Sequence, residues 1–336
     1  MVSSSPEPPA APSDPAPSAV PLVNAETPVN APGPIAVDDF SDNSEFDDEL
    51  SDLTSLSESV LEFEMPNDEE EQDRMDLTHH MSVKQHVPGE LYNAPIKSSP
   101  QNILDLGTGT GIWAMDIAEK FPNARVIGND ISPIQPSWVA PNIEFIVEDI
   151  ESEWQYEQNH FDFIHARCLA GCVADWPRFI RRVYEHVKPG GYFESHESAV
   201  WCWSDDDSLK ETSALMEWQQ AVNFAGNKMG RELNIYHKIK GWMVAAGFED
   251  VQLSVYVLPF SPWPRDPHLK ALGKYQAVQL QQAIDSYSLR LYTQVLSWSE
   301  DAAKIHNALV KQELRDKKLH AYVQTVAVHG RKPIRP

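Results

Sequence analysis

The sequence lacks the features of a membrane protein or of a disulfide-linked framework. No apolar run approaches the ~18 residues of a membrane span. The first residues, MVSSSPEPPAAPSDPAP, have neither a basic nor an apolar segment and do not resemble a signal peptide. Only three cysteines are present, Cys168, Cys172 and Cys202, too few for such a framework. We therefore expect an intracellular protein without a membrane partner, in the cytoplasm or in the nucleus.

Positive charge is also scarce, and its deficit is concentrated at one end of the chain. Residues 1–76 carry 20 Asp and Glu against one Arg, whereas the remainder carries 30 acids against 26 Lys and Arg. The net charge of −23 therefore belongs mostly to the first segment. Because duplex binding needs many Lys and Arg at phosphates, and no basic face is visible, we expect no nucleic-acid partner.

Residues 1–64 lack the apolar content of a folded core. Residues 1–40 hold 10 of the 26 prolines, separated by Ala and Ser. Such a segment cannot bury enough apolar surface to offset its ordering entropy, so we expect 1–64 to be a disordered tail. Its second part, 38–64, interleaves acids with Phe and Leu. That composition suits either a solvated tail or a segment that folds on contact with a partner.

The remainder alternates strand and helix patterns. Residues 65–100 are expected to form an N-terminal helical cap, and 101–336 a domain with helical insertions at about 205–246 and 265–318. The predicted helices are 68–83, GIWAMDIAEKF, 175–187, 208–226, 231–246, 268–297 and 299–317. The predicted strands are QNILDLG, ARVIGNDI, IEFIVEDI, FDFIHARC, GYFESHES, FEDVQLSVYVLPF and HAYVQTVAVHGRKP, with KPGG as a turn before the fifth. This alternation predicts an α/β fold with a doubly wound, mostly parallel sheet.

The stretch LDLGTGTGIW, residues 104–113, links the first of these strands to a helix. It does not match the dinucleotide fingerprint G-x-G-x-x-G, because Ile112 stands three residues after Gly109. It does not match a P-loop either, because no Lys follows the glycines.

The spacing D-x-G-x-G-x-G predicts a different ligand. Gly107 and Gly109, on either side of Thr108, let the backbone turn sharply and approach a ligand, while Gly111 lets the helix pack close to the strand. A carboxylate at Asp105 favours a ligand with an ammonium group over one with two phosphates.

Two further acids follow neighbouring strands. Asp130 ends the second strand, where a carboxylate can bind both hydroxyls of a ribose. Asp149 follows the third strand and can accept from an adenine amine, with the backbone at Ile150 closing on the ring. These positions meet at the carboxyl edge of the sheet, where open α/β sheets bind ligands.

With these residues the sequence resembles the class I S-adenosylmethionine-dependent methyltransferases, and more closely the fungal LaeA-like methyltransferases. The resemblance covers roughly residues 55–333. It implies a seven-stranded, Rossmann-like sheet with an antiparallel last strand, and S-adenosylmethionine as cofactor. It also implies a link to fungal secondary metabolism. Family members are either enzymes that act on a small-molecule acceptor or regulators that act with velvet-type protein partners. The matching stretches are PNDEEEQDRMDL, ILDLGTGTGIWAMDIAEKFPNARVIGNDISPIQPSW, IEFIVEDIESEW, FDFIHARCLAGCVADWPRFIRRVYEHVKPGGYFE and HGRKP.

The sequence departs from the family before this region. The family has a Tyr- and Arg-rich segment that covers the cofactor, whereas here Leu61–Met65 runs straight into Pro66. The helix that follows is interrupted by SVKQHVPGELY. Either the lid is rebuilt, or cofactor binding is weakened, or the gene model lacks an exon.

The ends of the fourth and fifth strands carry the candidate catalytic residues. His165 and His196 are candidate general bases. Each has a structural alternative, His165 as a strand residue facing a helix and His196 as a rim residue. Arg167 either fixes an acceptor carboxylate or pairs with Asp105 near the cofactor. Strand alternation places Glu194 with His196 on one face and Glu197 on the other.

Other groups have weaker functional interpretations. His165, Cys168 and Cys172 fall short of a structural zinc site, so we expect no metal. His79 and His80 are predicted on a helix surface. Four tryptophans line an aromatic acceptor pocket or belong to the core: Trp201, Trp203, Trp218 and Trp263.

Overall fold

The computed structural model describes residues 28–29, 33–38, 68–85 and 90–334. They form a seven-stranded sheet in the order β3-β2-β1-β4-β5-β7-β6. The strands from β3 to β5 in this order are parallel, and β7 is antiparallel to both of its neighbours. The predicted doubly wound, mostly parallel sheet is confirmed. The strands are β1 (Asn102–Leu106), β2 (Arg125–Asp130), β3 (Ile143–Val147), β4 (Phe161–Arg167), β5 (Val187–Trp203), β6 (Glu249–Pro259) and β7 (Tyr322–Arg331).

Helices precede β1 and connect most of the strands, whereas β2 to β3 and β3 to β4 are joined by loops within the described residues. The helices are α1 (Glu69–Gln85), α2 (Ile112–Lys120), α3 (Trp176–His186), α4 (Ala214–Lys228), α5 (Ile239–Ala246), α6 (Pro267–Arg290), the π-helical Leu291–Val295, and α7 (Glu300–Leu314). Among the described residues, no helix combines the length and apolar character needed to cross a membrane. The predicted division at residues 64 and 100 stays a prediction.

The predicted helix over 231–246 is wrong in its first half. The side chain of buried Asn234 accepts the backbone N–H of Val200 at 2.9 Å, which ties this segment to β5 instead. Lys238 then donates its N–H to Ile235 in a turn, and α5 begins only at Ile239. Tertiary hydrogen bonds therefore override the local helical pattern here.

The predicted KPGG turn is also wrong as a boundary, because β5 already begins at Val187. The N–H of Gly190 donates to the carbonyl of Lys332 at 2.8 Å, and the N–H of Lys332 donates to that of Gly191 at 2.9 Å. Lys332, the first residue beyond β7, thus pairs with Gly190 and Gly191 at the start of β5 and extends the sheet. Gly190 has a φ of +80°, which a glycine adopts without strain.

The strand β5 continues past the parallel part of the sheet. Arg167, the last residue of β4, pairs with His196, and the residues after it pair only with β7. We call this three-stranded part, formed by 197–203, 322–326 and 255–259, the sheet extension. Because β5 continues beyond the last residue that it pairs with β4, the sheet extension projects past the carboxyl edge of the parallel strands and forms a wall beside that edge.

Apolar side chains pack on both faces of the sheet, as a doubly wound fold requires. Of the four tryptophans, Trp201, Trp218 and Trp263 are buried. Trp203 is half-buried and packs against the apolar core on one face of the sheet. These positions match the core interpretation.

A small part of the predicted tail is described. The backbone of Val29 hydrogen-bonds with the side chain of Gln324, and Val37 forms a bridge with Pro264. The rest of 1–64 lies outside the described residues.

Candidate functional site

The loop after β1 has the conformation that its glycines predict. Gly107, Gly109 and Gly111 have φ values of +65°, +58° and +82°, all in the left-handed region that side chains disfavour. The N–H of Thr108 donates to the carbonyl of Asn129 on β2 at 2.8 Å, which holds the loop against the next strand. The glycine loop therefore projects from the carboxyl edge between β1 and β2.

Helix α1 covers this loop. The sulfur of Met75 lies 3.2 Å from the place where a Cβ on Gly109 would stand. The hydroxyl of Thr110 donates to the carboxylate of Asp76 at 2.6 Å. Helix α1 thus contacts the glycine loop directly, whereas the departure before Pro66 lies outside the described residues.

Asp130 is joined to the glycine loop. Its Oδ2 accepts the N–H of Gly109 at 2.8 Å, and its Oδ1 accepts the N–H of Ser132 at 3.0 Å. A carboxylate has about four lone-pair sites, so both oxygens retain acceptor capacity. The predicted acid at the end of β2 is thus half-buried and oriented by the loop itself.

Asp149 lies two residues beyond β3 and is exposed. Its Oδ1 accepts the N–H of Glu151 at 2.8 Å, and no bond to the glycine loop is found among the described residues. Ile150 is buried, and its carbonyl accepts from Trp154 and Arg182, which fixes the backbone beside Asp149. The backbone at Asp149 is therefore held in place, while a contact of its carboxylate with a ligand stays a prediction.

Two residues that the sequence interpretation missed also contact the loop. Gln135 donates its Nε2 to the carbonyl of Gly109 at 2.6 Å. Asn129 is fully buried, and its Nδ2 has no hydrogen-bond partner within the described residues. A buried donor without a partner is costly, so a polar ligand group is the expected complement. With the Asp130 carboxylate, this donor fits a ligand rich in hydroxyl and carboxylate groups.

Asp105 is more enclosed than the sequence interpretation expects. Its Oδ1 is hydrogen-bonded to Nδ1 of His165 at 2.7 Å, and its Oδ2 accepts the Thr108 hydroxyl at 2.6 Å. Burial raises the pKa of Asp105 to about 6, against the opposing effects of the Thr108 bond and the Arg167 charge. The ring of His165 is 1 % exposed and stacks on Trp113 at 3.8 Å. A direct contact of Asp105 with an ammonium group stays a prediction.

His196 is part of a second buried pair. Its Nε2 is hydrogen-bonded to Oε1 of Glu194 at 2.5 Å, on the sheet face that strand alternation predicts. Glu194 also accepts the N–H groups of Asn93 and Ala94. Burial lowers the pKa of His196 well below its ordinary value, so the ring is neutral at neutral pH. The rings of His196 and His165 lie 5.3 Å apart, edge to face, so the structure brings the two candidate bases together.

Arg167 points to α1. Its Nη1 donates to Nδ1 of His79 at 3.1 Å, which leaves Nε2 of that ring to donate to Asp116 at 2.9 Å. No direct Arg167–Asp105 hydrogen bond is found among the described residues. The prediction that His79 lies on a helix surface is wrong, because His79 is 3 % exposed and faces α2 and β4. His80, the next residue, is exposed as predicted.

Glu197 fixes the loop after β4 from the opposite sheet face. Its carboxylate accepts the N–H groups of Leu169 at 2.7 Å and Ala170 at 3.2 Å. This loop begins at Cys168 with a φ of +57°, a strained conformation that needs such support. The side chain of Leu169 then packs on Gly107, where a Cβ would lie 2.4 Å from its Cδ2. Burial raises the pKa of Glu197 to about 8.

Comparisons with known proteins show which proteins this chain is similar to. Residues 77–253 match the family described as a methyltransferase domain. The chain is 35 % identical over 300 residues to methyltransferase pytC of Aspergillus terreus, covering 84 % of this chain and 92 % of that protein. It is 36 % identical over 263 residues to the secondary metabolism regulator LAE1 of Cochliobolus heterostrophus, covering 76 % and 85 %. It is 34 % identical over 274 residues to the protein-methionine methyltransferase laeA of Emericella nidulans, covering 81 % and 72 %.

Proposed function

The chain belongs to the fungal LaeA-like class I methyltransferases, and we propose that it transfers a methyl group from S-adenosylmethionine to a small-molecule acceptor of secondary metabolism. One observation carries the choice of cofactor. The acid at the end of β2 and the glycine loop form a single unit, through the bond from Gly109 to Asp130. A ligand that lies along this loop meets backbone groups and the acid together.

The residues that would hold the cofactor follow from their positions. Asp130 would accept from the two ribose hydroxyls, and Asn129 would supply a buried donor beneath the loop. Asp149 would accept from the adenine amine beside the fixed backbone of Ile150. Gly107 and Gly109 would leave the backbone open to the amino-acid end. When bound, S-adenosylmethionine supplies a methyl group on a sulfonium that is already activated.

The protein's own contribution is alignment and exclusion of water. Helix α1 covers the loop through Met75 and Asp76, and the Glu197-bound loop packs on Gly107 from the other side. Where the acceptor releases a proton, neutral His196 is the candidate base, and the sheet extension is the wall beside it. Arg167 and His165 would orient this edge through their bonds to His79 and Asp105.

A labelling experiment tests this function. The protein is incubated with methyl-labelled S-adenosylmethionine and an extract of fungal metabolites, and label is counted separately in the small-molecule and protein fractions. We expect label in a small molecule with the wild type and none with Asp130→Asn. The laeA relative bears the name protein-methionine methyltransferase. Label that appears only in protein would contradict a small-molecule acceptor.

A second candidate function is regulation of secondary metabolism through a velvet-type protein partner. Two observations favour it: the LAE1 relative bears the name of a regulator, and residues 38–64 interleave acids with apolar residues. Metabolite profiling of a strain that lacks the gene separates the two functions. Loss of one compound supports an enzyme of a single pathway, and loss of many supports a regulator.

A further inference from the structure

Gln324 of β7 holds the backbone of a residue 295 positions away. Its Oε1 accepts the N–H of Val29 at 2.8 Å, and its Nε2 donates to the carbonyl of Val29 at 3.0 Å. A carboxamide offers the same donor and acceptor as a peptide bond. The Gln324 side chain is fully buried, and its two bonds to Val29 imitate the pair of hydrogen bonds that a neighbouring β-strand would form.

A second anchor lies at the loop between β6 and α6. The N–H of Asp38 donates to the carbonyl of Trp263, and the N–H of Arg265 donates to that of Ala36, both at 2.8 Å. Between them Val37 and Pro264 form an antiparallel bridge. Pro264 has no N–H to donate, but none is needed there, because the two hydrogen bonds of the bridge are made by its neighbours Trp263 and Arg265.

Charged groups support the same segment. The N–H of Ile35 donates to Oδ2 of Asp205 at 3.0 Å, and the hydroxyl of Tyr322 holds the other oxygen of that carboxylate at 2.8 Å. Lys270 forms an ion pair with Asp38. Most of these contacts bind main-chain groups, so the surface recognises an extended chain by its backbone.

Both anchors lie at the end of the sheet extension. Gln324 is on β7, Asp205 follows β5, and 263–265 follow β6. The bound residues include prolines at 28 and 34, which restrict the backbone before docking and lower the entropy that docking costs. Val29 also packs against the apolar core of one sheet face.

We propose that the end of the sheet extension is a peptide-docking site for an extended, proline-containing apolar segment. Residues 28–29 and 33–38 of this chain, which we call the cis segment, occupy it in the structure, and a peptide of the same sequence occupies it in trans when the cis segment is released. The chain that links Asp38 to Asp68 therefore starts and ends on the folded domain.

The test uses the full chain and a fluorescent peptide with the sequence of residues 26–40. The double variant Val29→Pro and Asp38→Pro removes the backbone donor at each anchor and leaves the receiving surface unchanged. We expect the peptide to bind this variant at least about tenfold more tightly than the wild type, whose site is filled. Adding Gln324→Ala to the variant should weaken binding by about tenfold, and adding Gln155→Ala, at an exposed glutamine, should not.

Hydrogen exchange on the wild type gives a second readout that does not depend on the double variant. We expect slow exchange at Val29 and in residues 33–38, and faster exchange there in Gln324→Ala alone. Equal binding of the peptide to the wild type and the double variant would overturn the proposal. Exchange at Val29 and in residues 33–38 of the wild type at the rate of a free peptide would also overturn it.

Discussion

Replacing Gly111 with alanine tests why the loop after β1 requires glycine. Gly111 has a φ of +82°, and a Cβ there would lie 2.4 Å from Cζ of Phe145 on β3. The left-handed backbone costs an alanine about 1–2 kcal/mol, and forcing a side chain into a packed site costs about 1–3 kcal/mol. The Phe145 ring also lies against Gly128, where a Cβ would stand 2.8 Å from its Cδ1, so it has little room to move. We expect Gly111→Ala to lower the free energy of unfolding by about 2–5 kcal/mol.

Urea denaturation followed by circular dichroism measures this loss, and two variants separate its parts. Gly230 has a φ of +72° with no atom within 4 Å of a Cβ, so Gly230→Ala should show only the backbone cost. In a Phe145→Leu background, Gly111→Ala should lower the free energy of unfolding only by the same backbone cost, because the clash with the ring is gone. A Gly111→Ala protein within about 0.5 kcal/mol of the wild type, or an undiminished loss beside Leu at position 145, would refute the reasoning.

The other predictions concern buried carboxylates. Burial raises the pKa of Glu197 to about 8 from its ordinary 4.5, so the folded state keeps a proton that the unfolded chain releases. The wild type should therefore lose stability as the pH rises from 5 to 8. Glu197→Gln should flatten this slope in urea titrations, and an unchanged slope would contradict the assignment. Asp105→Asn replaces one of two acceptor oxygens with an amide nitrogen, so buried His165 or Thr108 loses the acceptor that it bonds. It should cost about 1–3 kcal/mol in the same assay, whereas Asp73→Asn, at an exposed position of α1, should cost less.

Much of the sheet could be predicted because its signals are local. The alternation of apolar runs with glycine and proline breaks gives β1 to β4 almost at their observed bounds. Likewise, the spacing of Gly107, Gly109 and Gly111 predicts a sharply turned loop, and all three residues have positive φ angles. Asp130 contacts the loop because both lie at the carboxyl ends of neighbouring strands, which the strand order alone predicts.

The features that could not be predicted depend on register between distant strands. Asp105 pairs with His165 across β1 and β4, and nothing in either segment alone shows that these two residues stand side by side. Burial of His79 requires the contact of α1 with α2, and its helix has no strong apolar face to indicate it. The Gln324–Val29 contact joins opposite ends of the chain, so composition alone describes residues 28–38 as a tail.

Calorimetric titration with S-adenosylmethionine tests the central claim most directly. We predict binding of one molecule per chain in the micromolar range. Asp130→Asn should weaken it at least about tenfold, because each hydrogen bond to a charged acceptor contributes about 1.5–3 kcal/mol. Glu144→Gln, at an exposed acid of β3, should bind like the wild type. Absence of both binding heat and a thermal shift with the wild-type protein would contradict the claim that this edge of the sheet holds the cofactor.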